Sequence, residues 1–258
     1  MPRLLFPVFA LLLASFLASC AKETAPQQDE RLFELRVYHP FPGKLEALHD
    51  RFRNHTLALF EKHGMQHVGY WVTDGADPKL VYLVAFADQA EKEQAWKGFL
   101  ADPDWKAAYA ESIKAGRLVE RVDSSLLRTT DFSPAIVQES VEPARVFELR
   151  RYQASEGNLA SLDERFRSAT MDLFAKHGAS NLVYFHPADG EPGAEDTLIY
   201  LLAYESEAAR ERMWEAFRKD PEWIQAKTAS EAKAGGPLTA KGGVTSQILR
   251  PVDYSKIR

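Results

Sequence analysis

The sequence predicts an α+β protein in which two tandem β-α-β-β-α-β units pack sheet against sheet and close a barrel-like core. One observation is that a set of motifs occurs twice, in the same order. Another is that the apolar period within each copy changes between 2, typical of strands, and 3.6, typical of helices. A third is physical: a sheet covered by helices on one face only buries too little to be stable alone at this size.

The repeated motifs indicate an internal duplication. They are spaced by 114 residues in the first half of each copy and by 118 in the second half, so the second copy has a longer turn. The pairs are Phe33–Tyr38 with Phe147–Tyr152, Arg51–Arg53 with Arg165–Arg167, Lys62–Gly64 with Lys176–Gly178, Trp96 with Trp214, and Asp102–Pro103 with Asp220–Pro221. We therefore predict repeat 1 at residues 32–131, a proline-containing linker at 132–145 and repeat 2 at 146–258.

The first half of each repeat is predicted to be a strand followed by one helix. Residues 33–38 alternate apolar and polar side chains, as expected for a strand with two unlike faces. Residues 44–63 place most of their large apolar side chains on one helical face. Lys62 and His63 suit the negative end of the helix dipole, and Gly64 suits a left-handed cap.

The second half of each repeat is predicted to be a hairpin, a broken helical stretch and a last strand. Residues 66–73 and 79–86 are β-rich and flank a turn with glycine and proline. Helical residues follow up to Asp102, where the sequence favours a cap and a new helix that starts at Pro103. Residues 119–128 form the predicted final strand.

The N-terminus is expected to be a lipoprotein signal. Arg3 precedes an uncharged run from Leu4 to Leu17, which is long enough for a signal peptide and short for a membrane span. The run ends in Leu17-Ala18-Ser19-Cys20, which resembles the lipobox of bacterial lipoproteins. We predict cleavage after residue 19, lipidation of Cys20 and a polar tether over residues 20–31. Because Ala21 follows the cysteine, this resemblance implies a periplasm-facing protein anchored to the outer membrane.

Composition and motifs exclude several classes of function. The net charge of −5 provides no basic field for a nucleic acid. The single cysteine allows no internal disulfide, and no nucleophile elbow, phosphate loop or dinucleotide motif occurs. The histidines lack metal-ligand spacing, and His63 and His177 are expected to act at helix ends. The sequence predicts neither a cofactor nor a metal site.

The repeated motifs together resemble the NIPSNAP family. They are the Phe-Glu-Leu-Arg-x-Tyr opening, the Lys-His-Gly helix end and the Asp-Pro-x-Trp segment, and they cover both copies. The resemblance implies ferredoxin-like repeats that form an intramolecular dimeric α+β barrel. It implies little about chemistry, since proteins of this fold include oxygenases, isomerases and binding proteins.

The opening strand supplies most candidate site residues. Strand parity separates its apolar from its polar side chains, and we expect the apolar ones to meet the helices and the polar ones to line the barrel. Arginine suits a carboxylate or phenolate, tyrosine a carbonyl, and glutamate proton transfer. The alternative is that each Glu-Arg pair is an internal ion pair and that the aromatic rings fill the core. The candidates are Glu34, Arg36, Tyr38, Tyr82, Glu148, Arg150, Tyr152 and Tyr200.

Two functions are consistent with these residues. The first is non-catalytic: binding of a small amphipathic ligand or of a protein partner in the cell envelope. The second is a cofactor-free oxygenase or isomerase acting in the barrel cavity on a small aromatic or carbonyl substrate. The absence of nucleophile, metal and nucleotide signatures favours the first.

Overall fold

Both repeats contain the same elements in the same order in the computed structural model, which describes residues 28–258. Repeat 1 comprises β1 (Leu32–Pro40), α1 (Leu45–Arg51), the π-helical turn π1 (Phe52–Thr56), α2 (Leu57–Lys62), β2 (Gln66–Thr73), β3 (Leu80–Phe86), α3 (Gln89–Ala101), α4 (Pro103–Ser112) and β4 (Val119–Thr129). Repeat 2 comprises β5 (Val146–Ala154), α5 (Leu159–Arg165), π2 (Phe166–Thr170), α6 (Met171–Lys176), β6 (Ser180–Pro187), β7 (Thr197–Tyr204), α7 (Glu207–Lys219), α8 (Pro221–Ala234) and β8 (Thr239–Pro251).

The predicted signal peptide, Cys20 and most of the tether lie outside the described residues. Across residues 28–258, no helix combines the length and the hydrophobicity that a bilayer crossing requires.

The eight strands form one closed barrel in the order β1-β3-β2-β8-β5-β7-β6-β4. Each repeat contributes four neighbouring antiparallel strands. The two sheets join at two seams, where β2 pairs with β8 and β4 pairs with β6. Closure leaves neither sheet with an unpaired edge. The predicted intramolecular α+β barrel of two ferredoxin-like repeats is therefore confirmed.

The barrel interior is apolar. The apolar face of β1 lines it, not the polar face that was predicted to do so. Phe33, Leu35 and Val37 point inward, together with side chains such as Trp71 and Leu201. The prediction that the Glu-Arg-Tyr rows line the barrel is wrong for both copies. A closed eight-stranded barrel leaves no water to solvate a charge, and burying an unsolvated charge is very unfavourable. The residual cavity at the centre is about 20 Å³, room for about one water molecule.

The first helix of each repeat was predicted to be a continuous α-helix, but the structure interrupts it with a π-helical turn. A π-helical turn separates α1 from α2, and another separates α5 from α6. The hydroxyl of Thr56 donates to the carbonyl of Arg51, five residues earlier, and Thr170 does the same to Arg165. This wider turn allows Arg51, Phe52 and Thr56 to face the protein interior together.

The start of α4 is bonded to the end of α2. Asp102 caps α4 by accepting from the backbone N–H of Asp104 at 2.8 Å. Its second oxygen contacts Lys62 Nζ at 2.8 Å and His63 Nε2 at 2.7 Å. These hydrogen bonds lower the pKa of Asp102. Lys176, His177 and Asp220 repeat the arrangement, so the Lys-His-Gly and Asp-Pro motifs are two halves of one helix–helix contact.

The chain that follows β4 crosses from repeat 1 onto the helical layer of repeat 2. Phe132 packs on the ring of Tyr184 with centroids 5.6 Å apart. Asp131 accepts from Arg167 at 2.7 Å, and the hydroxyl of Ser133 accepts from the backbone N–H of Tyr184 at 3.0 Å.

The chain that follows β8 makes the reciprocal crossing onto repeat 1. Tyr254 packs on Tyr70, Asp253 accepts from Arg53 at 2.9 Å, and Ser255 accepts from the backbone N–H of Tyr70 at 2.9 Å. Each repeat is thus completed by the segment that follows the last strand of the other.

Candidate functional site

Each repeat has a pocket between its sheet and its helices. Pocket 1, in repeat 1, is about 240 Å³, and pocket 2, in repeat 2, is about 300 Å³. Their walls include residues at equivalent positions, which are Tyr38, Arg51, Phe52, Thr56, Trp105 and Val122 in pocket 1 and Tyr152, Arg165, Phe166, Thr170, Trp223 and Val244 in pocket 2. These volumes suit a small ligand. The π-helical turns therefore supply part of each wall, as such turns often do at functional sites.

Arg51 is a buried guanidinium in the wall of pocket 1. It is 6% exposed, and its Nη1 donates to the hydroxyl of Ser112 at 3.3 Å. The guanidinium lies 5.4 Å from the ring centroids of both Trp105 and Tyr109. Its Nε has no hydrogen-bond partner, and no carboxylate of residues 28–258 pairs with it.

The lack of a nearby carboxylate affects the pKa of Arg51. Burial lowers the pKa of Arg51, and the hydroxyls of Tyr38 and Tyr109 offset only part of that effect. An unpaired buried charge is unfavourable until an opposite charge reaches it. Since a guanidinium offers parallel donors that match a carboxylate, pocket 1 can hold a small organic anion.

Pocket 2 has the same arginine but also an acid. Arg165 Nη1 lies 3.7 Å from Glu231 Oε1, and its guanidinium lies 5.2 Å from the ring of Trp223. Its Nε and Nη1 make no hydrogen bond. The carboxylate of Glu231 partly neutralises this pocket.

The structure places Glu34 and Arg36 in the layer between sheet and helices. Glu34 is 2% exposed and accepts from Arg36 Nη1, Trp96 Nε1 and Ser124 Oγ, each at 2.6 Å. The guanidinium of Arg36 also stacks 4.4 Å from the ring of Trp96. The pair therefore joins β1 to α3 and to β4.

Glu148 is the most densely bonded acid in the described part of the chain. It accepts from Arg150 Nη1 at 2.5 Å, from Arg210 Nε at 2.8 Å and from Trp214 Nε1 at 2.9 Å. The hydroxyls of Tyr204 and Ser246 add two further bonds. Burial alone would raise the pKa of Glu148, but these donors lower it to about 2. Glu148 is therefore a poor proton acceptor at neutral pH.

The four predicted tyrosines divide between pocket and core. Tyr38 and Tyr152 line pockets 1 and 2. Tyr82 and Tyr200 are fully buried beneath them, and burial raises their pKa values well above that of free tyrosine. The hydroxyl of Tyr82 donates to that of Tyr38 at 3.1 Å. In repeat 2, Arg150 donates to both Tyr200 and Tyr152, at 3.0 and 3.1 Å.

The candidates from the sequence did not include Arg51 and Arg165, although both belong to a repeated Arg-Phe-Arg motif. In the first copy of that motif, Arg51 is buried, whereas Arg53 pairs with exposed acids. Residues two positions apart lie on opposite faces of a helix, so the spacing allows one of these arginines to be buried, but it does not say which one.

The fold and the paired sheet–helix pockets define a dimeric α+β barrel with both halves in one chain. Solved structures show the same fold: a protein of Fusobacterium nucleatum provisionally assigned as a monooxygenase is 10% identical, covers 86% of this chain and 93% of its own, and superposes with a TM-score of 0.56. A similarly assigned protein of Lactobacillus acidophilus is 9% identical, covers 89% of this chain and 98% of its own, and has a TM-score of 0.53.

Sequence comparison then identifies the family. The family model described as NIPSNAP matches residues 33–134 and again residues 147–256. A "Protein NipSnap homolog" of Dictyostelium discoideum is 24% identical over 198 residues, which are 76% of this chain and 79% of the relative. The chain belongs to the NIPSNAP family and carries two of its domains.

Proposed function

We propose that this chain is a lipid-anchored protein of the cell envelope, periplasm-facing at the outer membrane, that binds a small amphipathic anion in pocket 1 without transforming it. The observation that carries the proposal is Arg51: a buried guanidinium with no carboxylate partner among the described residues, set among aromatic rings. The ligand that fits such a pocket is flat and mostly apolar, with one carboxylate or phenolate group.

The apolar part of the ligand has a defined place. Trp105, Phe52 and Val122 line pocket 1, and Tyr109 and Val122 are exposed near its entrance. Burying an aromatic ring there removes apolar area from water at about 25 cal/mol per Å². The anionic group supplies orientation, because it has one buried cation to reach.

A direct test is titration with 2-naphthoate, followed by tryptophan fluorescence, since Trp105 lines the pocket. We expect the wild-type protein to bind 2-naphthoate and its neutral analogue 2-naphthalenemethanol to bind at least about tenfold more weakly, the equivalent of about 1.4 kcal/mol. Arg51→Met should abolish the difference between the two probes. Arg165→Met, at the equivalent position of repeat 2, is the matched control and should retain it. A folded Arg51→Met protein that binds naphthoate as tightly as wild type would refute the proposal.

The envelope address rests on Cys20 and the sequence before it. Cells that express the full chain with a labelled fatty acid should incorporate label into the protein, and the protein should fractionate with outer membranes. Cys20→Ser should lose both properties. Persistent labelling of that variant would contradict the anchor.

An oxygenase or isomerase function would need a group that moves a proton. Glu34 and Glu148, the residues considered for that role, are each almost completely buried and accept at least three hydrogen bonds. A substrate in either pocket would have to displace those donors to reach them. The geometry therefore supports binding more directly than catalysis.

A further inference from the structure

We infer that the two pockets differ in ligand preference, so that the chain binds one small anion in pocket 1 while Glu231 acts as a built-in counterion in pocket 2. This inference rests on the proposed function and adds its stoichiometry and the residue that sets it. It also assigns a specificity-determining role to Glu231 of repeat 2.

Glu231 corresponds by sequence count to an apolar residue of repeat 1. Counting from the Asp-Pro pairs that start α4 and α8, Ile113 of repeat 1 corresponds to Glu231 of repeat 2. Ser112 and Ser230 precede them in both copies. Several positions of α4 and α8 differ between the copies, and at this one repeat 2 has an acid that lines its pocket, whereas Ile113 is not among the residues that line pocket 1.

The acid in repeat 2 approaches the buried arginine directly. Glu231 Oε1 lies 3.7 Å from Arg165 Nη1, and the side chain of Glu231 is about a quarter exposed, whereas that of Arg165 is 5% exposed. An incoming carboxylate would meet Glu231 before it could pair with Arg165, and two like charges at this distance repel. In pocket 1, the acid in the wall is Glu120, which is exposed and makes no ion pair with Arg51. The guanidinium of Arg51 is stacked on Trp105 and Tyr109 instead.

The rim of pocket 2 does not cancel this effect. Lys227 stands where pocket 1 has Tyr109, but it is solvent-exposed, and water screens its charge. The buried part of pocket 2 thus carries one positive and one negative charge, and the buried part of pocket 1 carries one positive charge. A neutral or zwitterionic ligand therefore fits pocket 2, and a monoanion fits pocket 1.

Removal of the Glu231 carboxylate provides the test. Native mass spectrometry and fluorescence titration with 2-naphthoate should show one bound probe in the wild-type protein. Glu231→Ile should bind two. The double variant Arg51→Met, Glu231→Ile should bind one, now in pocket 2. Circular dichroism and the melting temperature verify that each variant is folded, and if one variant fails to fold the other decides the matter.

The outcomes separate the inference from the function on which it rests. Two equal sites in the wild-type protein, or a single site that persists in Glu231→Ile, would overturn the inference and leave anion binding in pocket 1 intact. No binding by the wild-type protein would overturn both.

Discussion

Replacement of Glu148 by glutamine should reveal how much stability its ion-pair network contributes. The substitution keeps the size of the side chain and most of its hydrogen-bonding capacity toward Trp214 and Tyr204, but it removes the charge opposite Arg150 and Arg210. The pKa of Glu148 falls from 4.5 to about 2 on folding, which corresponds to about 3 kcal/mol of stability at neutral pH. Loss of one partner from a buried pair typically costs about the same.

The stability difference between the wild-type protein and Glu148→Gln should depend on pH. Because the pKa of Glu148 is lower in the folded state than in the unfolded chain, its contribution is complete above the unfolded pKa of about 4.5 and is lost as the pH falls toward 2. The free energy of unfolding of the wild-type protein should therefore exceed that of Glu148→Gln by about 3 kcal/mol between pH 6 and 7. The gap should close toward pH 2, where the native glutamate is itself protonated.

Urea denaturation at a series of pH values, monitored by circular dichroism, measures this gap directly. Glu215→Gln is the control, because Glu215 pairs only with Lys219 on the exposed face of α7 and its loss should not change the midpoint detectably. The electrostatic reasoning is refuted if the Glu148→Gln deficit is below about 1 kcal/mol at pH 7. It is also refuted if the deficit stays constant down to pH 2, since that would indicate lost packing.

Two further predictions concern the role of the duplication and of the buried arginines. Residues 32–131 expressed alone lack both seams and the segment around Tyr254, so they should self-associate or be weakly stable in sedimentation and thermal melting; a stable monomer would contradict the interdependence of the repeats. Arg36→Met and Arg150→Met should lower the melting temperature while leaving the preference of the protein for 2-naphthoate over its neutral analogue intact, because both guanidiniums are bonded to buried glutamates. A cooperative, wild-type melting transition combined with lost naphthoate binding would show instead that they belong to the binding site.

The sequence was sufficient to predict the elements and the closed barrel. Alternation in residues 33–38 identified a strand with two unlike faces, and the uncovered face of each sheet implied that the two copies pack together. It did not decide which face points inward, because both faces of these strands are buried, one by the partner sheet and one by helices. Desolvation resolves the choice: Phe33 tolerates the dry barrel centre, and Arg36 does not.

The candidate site was harder to predict, since it depends on a local departure from the regular α-helix. Arg51 and Thr56, five residues apart, come together because π1 inserts a wider turn, and neither propensity nor periodicity marks that turn. Tyr38 and Tyr152 were nevertheless among the predicted site residues and do line the pockets. The other residues of the Glu-Arg-Tyr rows form ion pairs with each other, Arg36 with Glu34 and Arg150 with Glu148.

The seams between the repeats have a consequence for how this protein can change. In a symmetric dimer of separate chains, every substitution appears in both subunits, so two pockets related by the symmetry axis must remain identical. Here β2–β8 and β4–β6 join halves of one covalent chain, and each half is encoded separately. A residue can then be altered in one pocket alone, as Glu231 is in pocket 2. Duplication has turned an obligatory pair of equal sites into two positions that selection can adjust independently.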